Sequence, residues 1–148
     1  MKLLRIGSFA EFRDLLIPYY REGEDADTPI EQLEGFIRYL FGLLETGTIS
    51  GAVAWEEKPV GFVLWAMDSE ALPFSNKPGF GTILEIGVVP GCRGKGYGKA
   101  MTEFAESSMA EVAKYVCAYG PAEAFWEKCG YRESGETAEN GLKIFVKG

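Results

Sequence analysis

The segment VVPGCRGKGYGKAMTEFAE, from Val88 to Glu106, gathers Gly91, Gly94, Gly96 and Gly98 with Arg93, Lys95 and Lys99 just ahead of an amphipathic helix. A strand, a glycine-rich turn and a helix start together make an anion site. The first N–H groups of a helix have no internal acceptor and sit at the positive end of its dipole. Glycines let the backbone approach phosphate oxygens, and the three cations add formal charge. The plainer alternative is a flexible turn with solvated lysines. Two nucleotide motifs fail on spacing. A phosphate-binding P-loop needs glycine at position 93 and a hydroxyl at position 100, where Arg93 and Ala100 stand. A dinucleotide fingerprint needs a third glycine where Lys99 stands.

The chain of 148 residues has no histidine, which removes Ser-His-Asp and Cys-His catalysis and every His-ligated metal site. Cys92, Cys117 and Cys129 are unclustered and odd in number, so no metal site is expected. The thiols read as reduced and the protein as cytoplasmic. Cys92 is either a reactive thiol at a helix start or a small loop residue turned away; Cys117 and Cys129 read as small core residues. A net charge of -7 argues against nucleic acid and is compatible with a cationic partner or with simple solubility. Apolar runs such as GFVLWAM are strand-length, too short to span a bilayer, and the N-terminus has no signal-peptide pattern.

What fits the glycine segment is Arg-x-x-Gly-x-Gly at Arg93, Gly96 and Gly98, preceded by Val-Val-Pro. This resembles the acetyl-CoA pyrophosphate loop of the GNAT superfamily of N-acetyltransferases. A second stretch, AEAFWEKCGY from Ala122 to Tyr131, is similar to that family's later motif. The resemblance implies a single-domain α/β fold (α+β type) over residues 1–148, with a mixed, mostly antiparallel twisted sheet and helices on both faces. It also implies transfer of an acetyl group from acetyl-CoA to a primary amine by direct attack, and a family in which homodimers are common.

Residue by residue, the resemblance implies that Val88 and Val89 offer backbone groups to the pantetheine arm. The N–H groups of Arg93, Gly94, Lys95, Gly96, Tyr97 and Gly98 would wrap the pyrophosphate, and Lys95 and Lys99 would screen its charge or reach the 3′-phosphate. The N–H of Val88 is the candidate to polarise the thioester carbonyl. Glu85, the only acid in the central strand, is the candidate base, directly or through water; an apolar neighbourhood suits a base working near neutrality. Its alternatives are a solvent-facing carboxylate or a lysine partner. The family's usual tyrosine acid is replaced by Trp126, whose indole N–H can donate a hydrogen bond but is far too weak an acid. Tyr119 stands where an asparagine is usual, and either substitutes as the acid or packs in a strand; Tyr131 reads as core. A CoA-binding sensor or interaction module without turnover is the rival reading, motivated by Trp126 and Tyr119; a nucleotide-binding regulator is already weakened by spacing.

The expected acceptor is a small-molecule or peptide amine; Glu22, Glu24, Asp25 and Asp27 in REGEDADTP either hold a cationic one, such as a polyamine, an aminoglycoside or a basic peptide, or form a solvated loop. That segment and DSEALPFSNKPGFG are where the family builds its acceptor site. Trp55, Trp65, Phe74 and Phe80 either wall a pocket or fill the core.

The elements that must position these groups follow from pattern. LLRI is a short strand. Ser8 and Glu11 form a capping box ahead of a helix carrying Phe9, Phe12, Leu16 and Tyr19 at helical spacing, which Pro18 should kink or shorten. Thr28 and Pro29 read as N-cap and first residue of a second helix with Ile30, Leu33, Ile37, Leu40 and Leu44 on one face. TISGAVAW and PVGFVLWAM are hairpin strands, and TILEIGVV, apolar on both faces, is central. A helix with Met101, Phe104, Ala105, Ser108, Met109 and Val112 follows the glycines. Then come the strand YVCAY, a helix opened by Gly120-Pro121 and closed by Gly130, and the strands YRES and LKIFVK. The expected order is β-α-α-β-β-β-α-β-α-β-β.

Overall fold

The structure is a computed structural model that describes residues 1–23, 25–71, 77–112, 114–118, 123–138 and 141–148, with backbone alone at 116–118. The order expected from the sequence is the order observed: β1 Lys2–Arg5, α1 Phe9–Arg21, α2 Ile30–Glu45, β2 Ser50–Trp55, β3 Pro59–Met67, β4 Gly81–Val88, α3 Tyr97–Ser108, β5 Tyr115–Ala118, α4 Glu123–Lys128, β6 Arg132–Thr137 and β7 Lys143–Lys147.

Ser8 starts α1 as expected, its hydroxyl accepting from the Glu11 N–H at 3.2 Å. Two local expectations are corrected. Pro18 does not shorten α1, which runs on to Arg21. Proline removes one donor from the ladder, but the buried face of Phe12, Leu16 and Tyr20 spans both sides of it and holds the helix to the sheet. Burying each such side chain contributes about 2 kcal/mol. At α2 the cap shifts by one residue: Pro29 is the N-cap, and the Thr28 hydroxyl donates to Asp25 Oδ1 at 3.1 Å instead of capping.

The seven strands form one sheet in the order β1-β2-β3-β4-β5-β7-β6, antiparallel except where β4 and β5 run parallel. Helices cover both faces. Phe12, Leu16, Leu33 and Ile37 from α1 and α2 pack on Val53, Phe62 and Leu64. On the opposite face Met101, Ala105 and Met109 of α3 and Trp126 of α4 pack on Val63, Trp65 and Ile83. Trp55 and Trp65 thus belong to the packing of the two faces, and Phe80 packs on Ile144 and Val146. Phe74 lies outside the described residues. The α3 layer is tied down by Glu106, whose carboxylate accepts from the Tyr131 hydroxyl at 2.7 Å and from Lys147 Nζ at 3.1 Å.

Two irregularities of β4 shape the site. Leu64 pairs with Glu85 but Trp65 pairs with Ile83, so Leu84 is an extra residue in the strand. Such a bulge shifts the side-chain alternation by one. Ile83 therefore faces α3, while both Leu84 and Glu85 turn toward α1 and α2. Second, among the described residues β4 pairs with β5 from Gly81 to Ile83, and β4 then runs on to Val88.

Candidate functional site

A cleft of about 760 Å³ lies between the end of β4, the turn before α3 and α4. Its walls bring together Ile86, Gly87, Val88, Arg93, Gly94, Gly96, Tyr97, Gly98, Lys99, Phe125 and Trp126. Backbone alternation decides which strand groups face it. The Val89 N–H donates to the Val60 carbonyl at 2.9 Å, so the groups of Val88 and Ile86, offset by one and three residues, point away from β3 and toward the cleft. The expectation for Val89 is corrected: its N–H goes to Val60 and its carbonyl accepts from the Cys92 N–H at 2.8 Å. Val89 lines a smaller neighbouring cavity instead.

The turn is shaped by Gly94 and Gly96, whose φ angles of 79° and 85° lie in the left-handed region that a side chain disfavours. With Gly96 as N-cap, the first bond across the start of α3 is from the Ala100 N–H to the Gly96 carbonyl, at 3.1 Å. The N–H groups of Tyr97, Gly98 and Lys99 precede it, without an acceptor inside the helix, and these three residues line the cleft, an arrangement that suits an anion. Arg93 does not join this cradle in the expected way. Its N–H reaches the Pro90 carbonyl at 3.4 Å, its Nε donates to the Val88 carbonyl at 3.1 Å, and its Nη2 reaches both Glu22 carboxylate oxygens at 2.9 and 3.1 Å. Lys95 is exposed and is not part of the cleft wall, whereas Lys128 of α4 is.

Trp126 is fully enclosed, edge-on to Phe125 and Tyr131, and backs the cleft wall as a core residue. Tyr131 is likewise buried, as expected from its position. Cys92 and Cys129 are buried small residues rather than exposed thiols, and burial pushes the Cys129 thiol up. Tyr119 and Ala122 lie outside the described residues, as does the side chain of Cys117.

Glu85 is half-buried. The bulge turns it under α1, where the Tyr19 hydroxyl donates to Oε2 at 2.6 Å. Burial, then the charge of Glu85, pushes the Tyr19 and Tyr20 hydroxyls far above the ordinary phenol range, so both stay protonated donors. Tyr19 was legible only as a residue of the helix's apolar face. Its ring lies edge-on to Phe62 at 5.2 Å and lines both the large cleft and the smaller cavity of about 360 Å³ between α1 and the ends of β3 and β4. The smaller cavity has apolar walls from Leu15, Pro18 and Phe62, with Glu11, Asp14, Glu22 and Lys58 around them.

The acidic loop after α1 is largely committed to its own structure. Glu22 pairs with Arg93, Asp25 accepts from Thr28, and the Arg21 guanidinium donates to the carbonyls of Asp25, Ala26 and Thr28. Glu24 lies outside the described residues. At the other candidate acceptor loop, Asp68 is buried and gathers the base: its carboxylate accepts from the Lys77 N–H at 3.0 Å and its carbonyl from the Gly79 N–H at 2.9 Å.

Solved structures share this architecture. The GCN5-related N-acetyltransferase from Ralstonia eutropha is 24% identical, with 93% of this chain and 95% of that one covered, at a TM-score of 0.72. The PaiA N-acetyltransferase from Thermoplasma acidophilum, solved in complex with coenzyme A, is 13% identical, with 99% and 97% covered and a TM-score of 0.73. A Corynebacterium glutamicum protein described as histone acetyltransferase HPA2 and related acetyltransferase is 14% identical, with 99% and 94% covered and a TM-score of 0.75. No curated protein sequence matches the chain. At these identities the likeness is one of fold. The sequence itself matches the acetyltransferase (GNAT) family over residues 9–131, from the first helix through the glycine cradle to Tyr131, and the chain belongs to that family.

Proposed function

We propose that the protein transfers an acetyl group from acetyl-CoA to a primary amine within a ternary complex. One observation carries this reading: β4 runs on beyond its described pairing with β5 and ends at a cleft lined by the glycine turn and the first turn of α3. A cleft with an extended strand edge and an anion-binding end suits a long, phosphate-terminated thioester. The PaiA N-acetyltransferase, whose structure contains coenzyme A, shares the fold.

Acetyl-CoA would supply the activated acyl group. The N–H groups from Gly94 to Lys99 hold its pyrophosphate, with Lys99 and Lys128 beside them. The strand-edge groups of Ile86 and Val88 align its pantetheine arm, and the Val88 N–H polarises the thioester carbonyl. A free alkylammonium has a pKa near ~10 and must lose a proton before it attacks. Glu85 takes that proton, directly or through water. The amine nitrogen bonds to the acyl carbon, the C–S bond breaks, the thiolate leaves, and the nitrogen releases its second proton to water. Tyr119 is the candidate to protonate that thiolate, because Trp126 has no ionisable group to offer. Much of the rate comes from holding both substrates together. Glu11 at the smaller cavity, whose other carboxylates Asp14 and Glu22 pair with Arg13 and Arg93, and the net negative charge of the chain favour a cationic acceptor.

Calorimetric titration with acetyl-CoA, followed by a thiol-release assay over a panel of amines, tests the reading. Acetyl-CoA binding with amine-dependent thiol release is expected. Tight binding with no release over a broad panel defeats it in favour of a CoA-binding module. Binding of ATP or NAD that coenzyme A does not displace defeats both.

A further inference from the structure

We propose that Tyr19, whose ring lines both cavities, is the positioning residue of Glu85: its hydroxyl, 2.6 Å from Oε2, sets the orientation of a carboxylate that lies behind it and lines neither cavity itself. The inference deepens the reading of Glu85 as base and rests on it. Three features on different parts of the chain support it. The extra residue at Leu84 turns Glu85 to the α1 face, where a regular strand would have aimed it at α3. Gly87, next but one along the same face, has no side chain; an added Cβ would come within 2.7 Å of the Tyr19 ring and 2.7 Å of the Phe62 ring. The Tyr19 ring fits only because that position is bare. Tyr19 is also held edge-on between Tyr20 and Phe62, at 5.1 and 5.2 Å, so its hydroxyl has a fixed direction.

A hydrogen bond to an ionised carboxylate favours the ionised form, while apolar surroundings oppose it. Tyr19 therefore keeps a half-buried acid ready to accept a proton. The titratable neighbours that act on this pair among the described residues are Tyr20, also from α1, and Asp25 through Tyr20. The Tyr20 hydroxyl is enclosed and feels the charge of Glu85, but it meets no hydrogen-bond geometry within the described residues, so it is the comparison that separates the short bond from mere proximity.

The test follows the carboxyl carbon of Glu85 by NMR through a pH titration of carbon-13-labelled protein, with assignment by Glu85→Gln. This needs no knowledge of the acceptor. Tyr19→Phe should raise the midpoint by about one to two pH units, the worth of a hydrogen bond to a charged group. Tyr20→Phe should move it much less. Replacing Tyr19 by 3-fluorotyrosine, a stronger donor of nearly the same shape, should lower the midpoint, and this arm stands if Tyr19→Phe does not fold. A Tyr19→Phe curve that overlays the wild type, an equal shift in Tyr20→Phe, or no response to 3-fluorotyrosine overturns the inference. With an active amine in hand, Tyr19→Phe should lower kcat and move the acidic limb of the pH–rate profile upward, with acetyl-CoA affinity unchanged. Full turnover by Glu85→Gln would sink the base reading itself. An inactive Glu85→Gln with an unshifted Tyr19→Phe titration sinks only the role of Tyr19.

Discussion

From Gly94 to Lys99 the groups that face the large cleft come from one continuous stretch, whereas Glu85 meets Tyr19 across 66 positions of chain. The cradle is set by local backbone geometry: two left-handed glycines, then the unpaired first turn of α3. The Glu85 site is set by tertiary structure: a bulge in β4, a bare Gly87, and the placing of α1 against the sheet. The first kind of site fails when a backbone angle is forbidden. The second fails when one distant contact is lost, while cofactor binding survives. Variants that damage one half and spare the other test whether the division holds.

The largest effect is expected from Glu85→Gln. A positioned general base contributes about 10²–10⁴-fold, so kcat should fall by that range while calorimetric acetyl-CoA affinity stays within twofold or so. A matching loss of affinity would show that the two halves are one unit. Gly96→Ala is the reciprocal change. It places a side chain at a φ of 85° and should cost about 1–2 kcal/mol. That corresponds to a drop of about 2–8 °C in melting temperature for a chain of this size. Because the N–H groups of the first turn are re-aimed, acetyl-CoA affinity should weaken roughly tenfold, by the same energy expressed in binding. The Glu85 carboxyl titration should not move; if it does, the comparison is broken from the other side.

The same contrast explains what the sequence could tell. The element order was legible throughout, because hydrophobic period and capping residues are local signals: Ser8 caps α1, and Leu33, Ile37 and Leu40 are buried on one face of α2. The cradle was legible because glycine and charge in a fixed spacing have few other uses. The partner of Glu85 was not. Tyr19 and Phe12 look alike in a helical pattern, and nothing local says that one packs in the core while the other reaches a carboxylate on β4. The Leu84 bulge leaves no mark in TILEIGVV, yet it decides which face Glu85 occupies. The acidic loop misled in a complementary way. Glu22 and Asp25 looked available for a cation, but Arg93 and Thr28 already engage them.

A third effect belongs to the Glu85 half alone. Unfolded tyrosine ionises near pH 10, while burial and the Glu85 charge keep the folded Tyr19 and Tyr20 hydroxyls protonated well beyond that. A raised folded value means the associated stability is fully present below about pH 10 and is lost as pH rises further. Each hydroxyl contributes up to ~1.4 kcal/mol per pH unit to that decline. Urea denaturation between about pH 9 and 11 should therefore show stability falling with pH, and the Tyr19→Phe, Tyr20→Phe double variant should show a shallower fall. Parallel curves would mean that the folded hydroxyls ionise like free ones.

The smallest effect concerns a side-chain link between the halves, the bridge from Arg93 to Glu22 at the end of α1. Both side chains are about half exposed, so the pair is screened and worth under about 1 kcal/mol. Glu22→Gln should lower the melting temperature by no more than about 4 °C, and less at high salt. The guanidinium also donates to the Val88 carbonyl, on the side of β4 where the pantetheine arm is proposed to lie. Releasing it from Glu22 should change acetyl-CoA affinity by a few-fold at most, with no shift in the Glu85 titration. A tenfold change in affinity together with a shifted titration would mean that this exposed pair fixes α1 against the cradle. The donor and base sites would then be joined mechanically through the helix that carries Tyr19, and their separate encoding in the chain would not amount to separate behaviour.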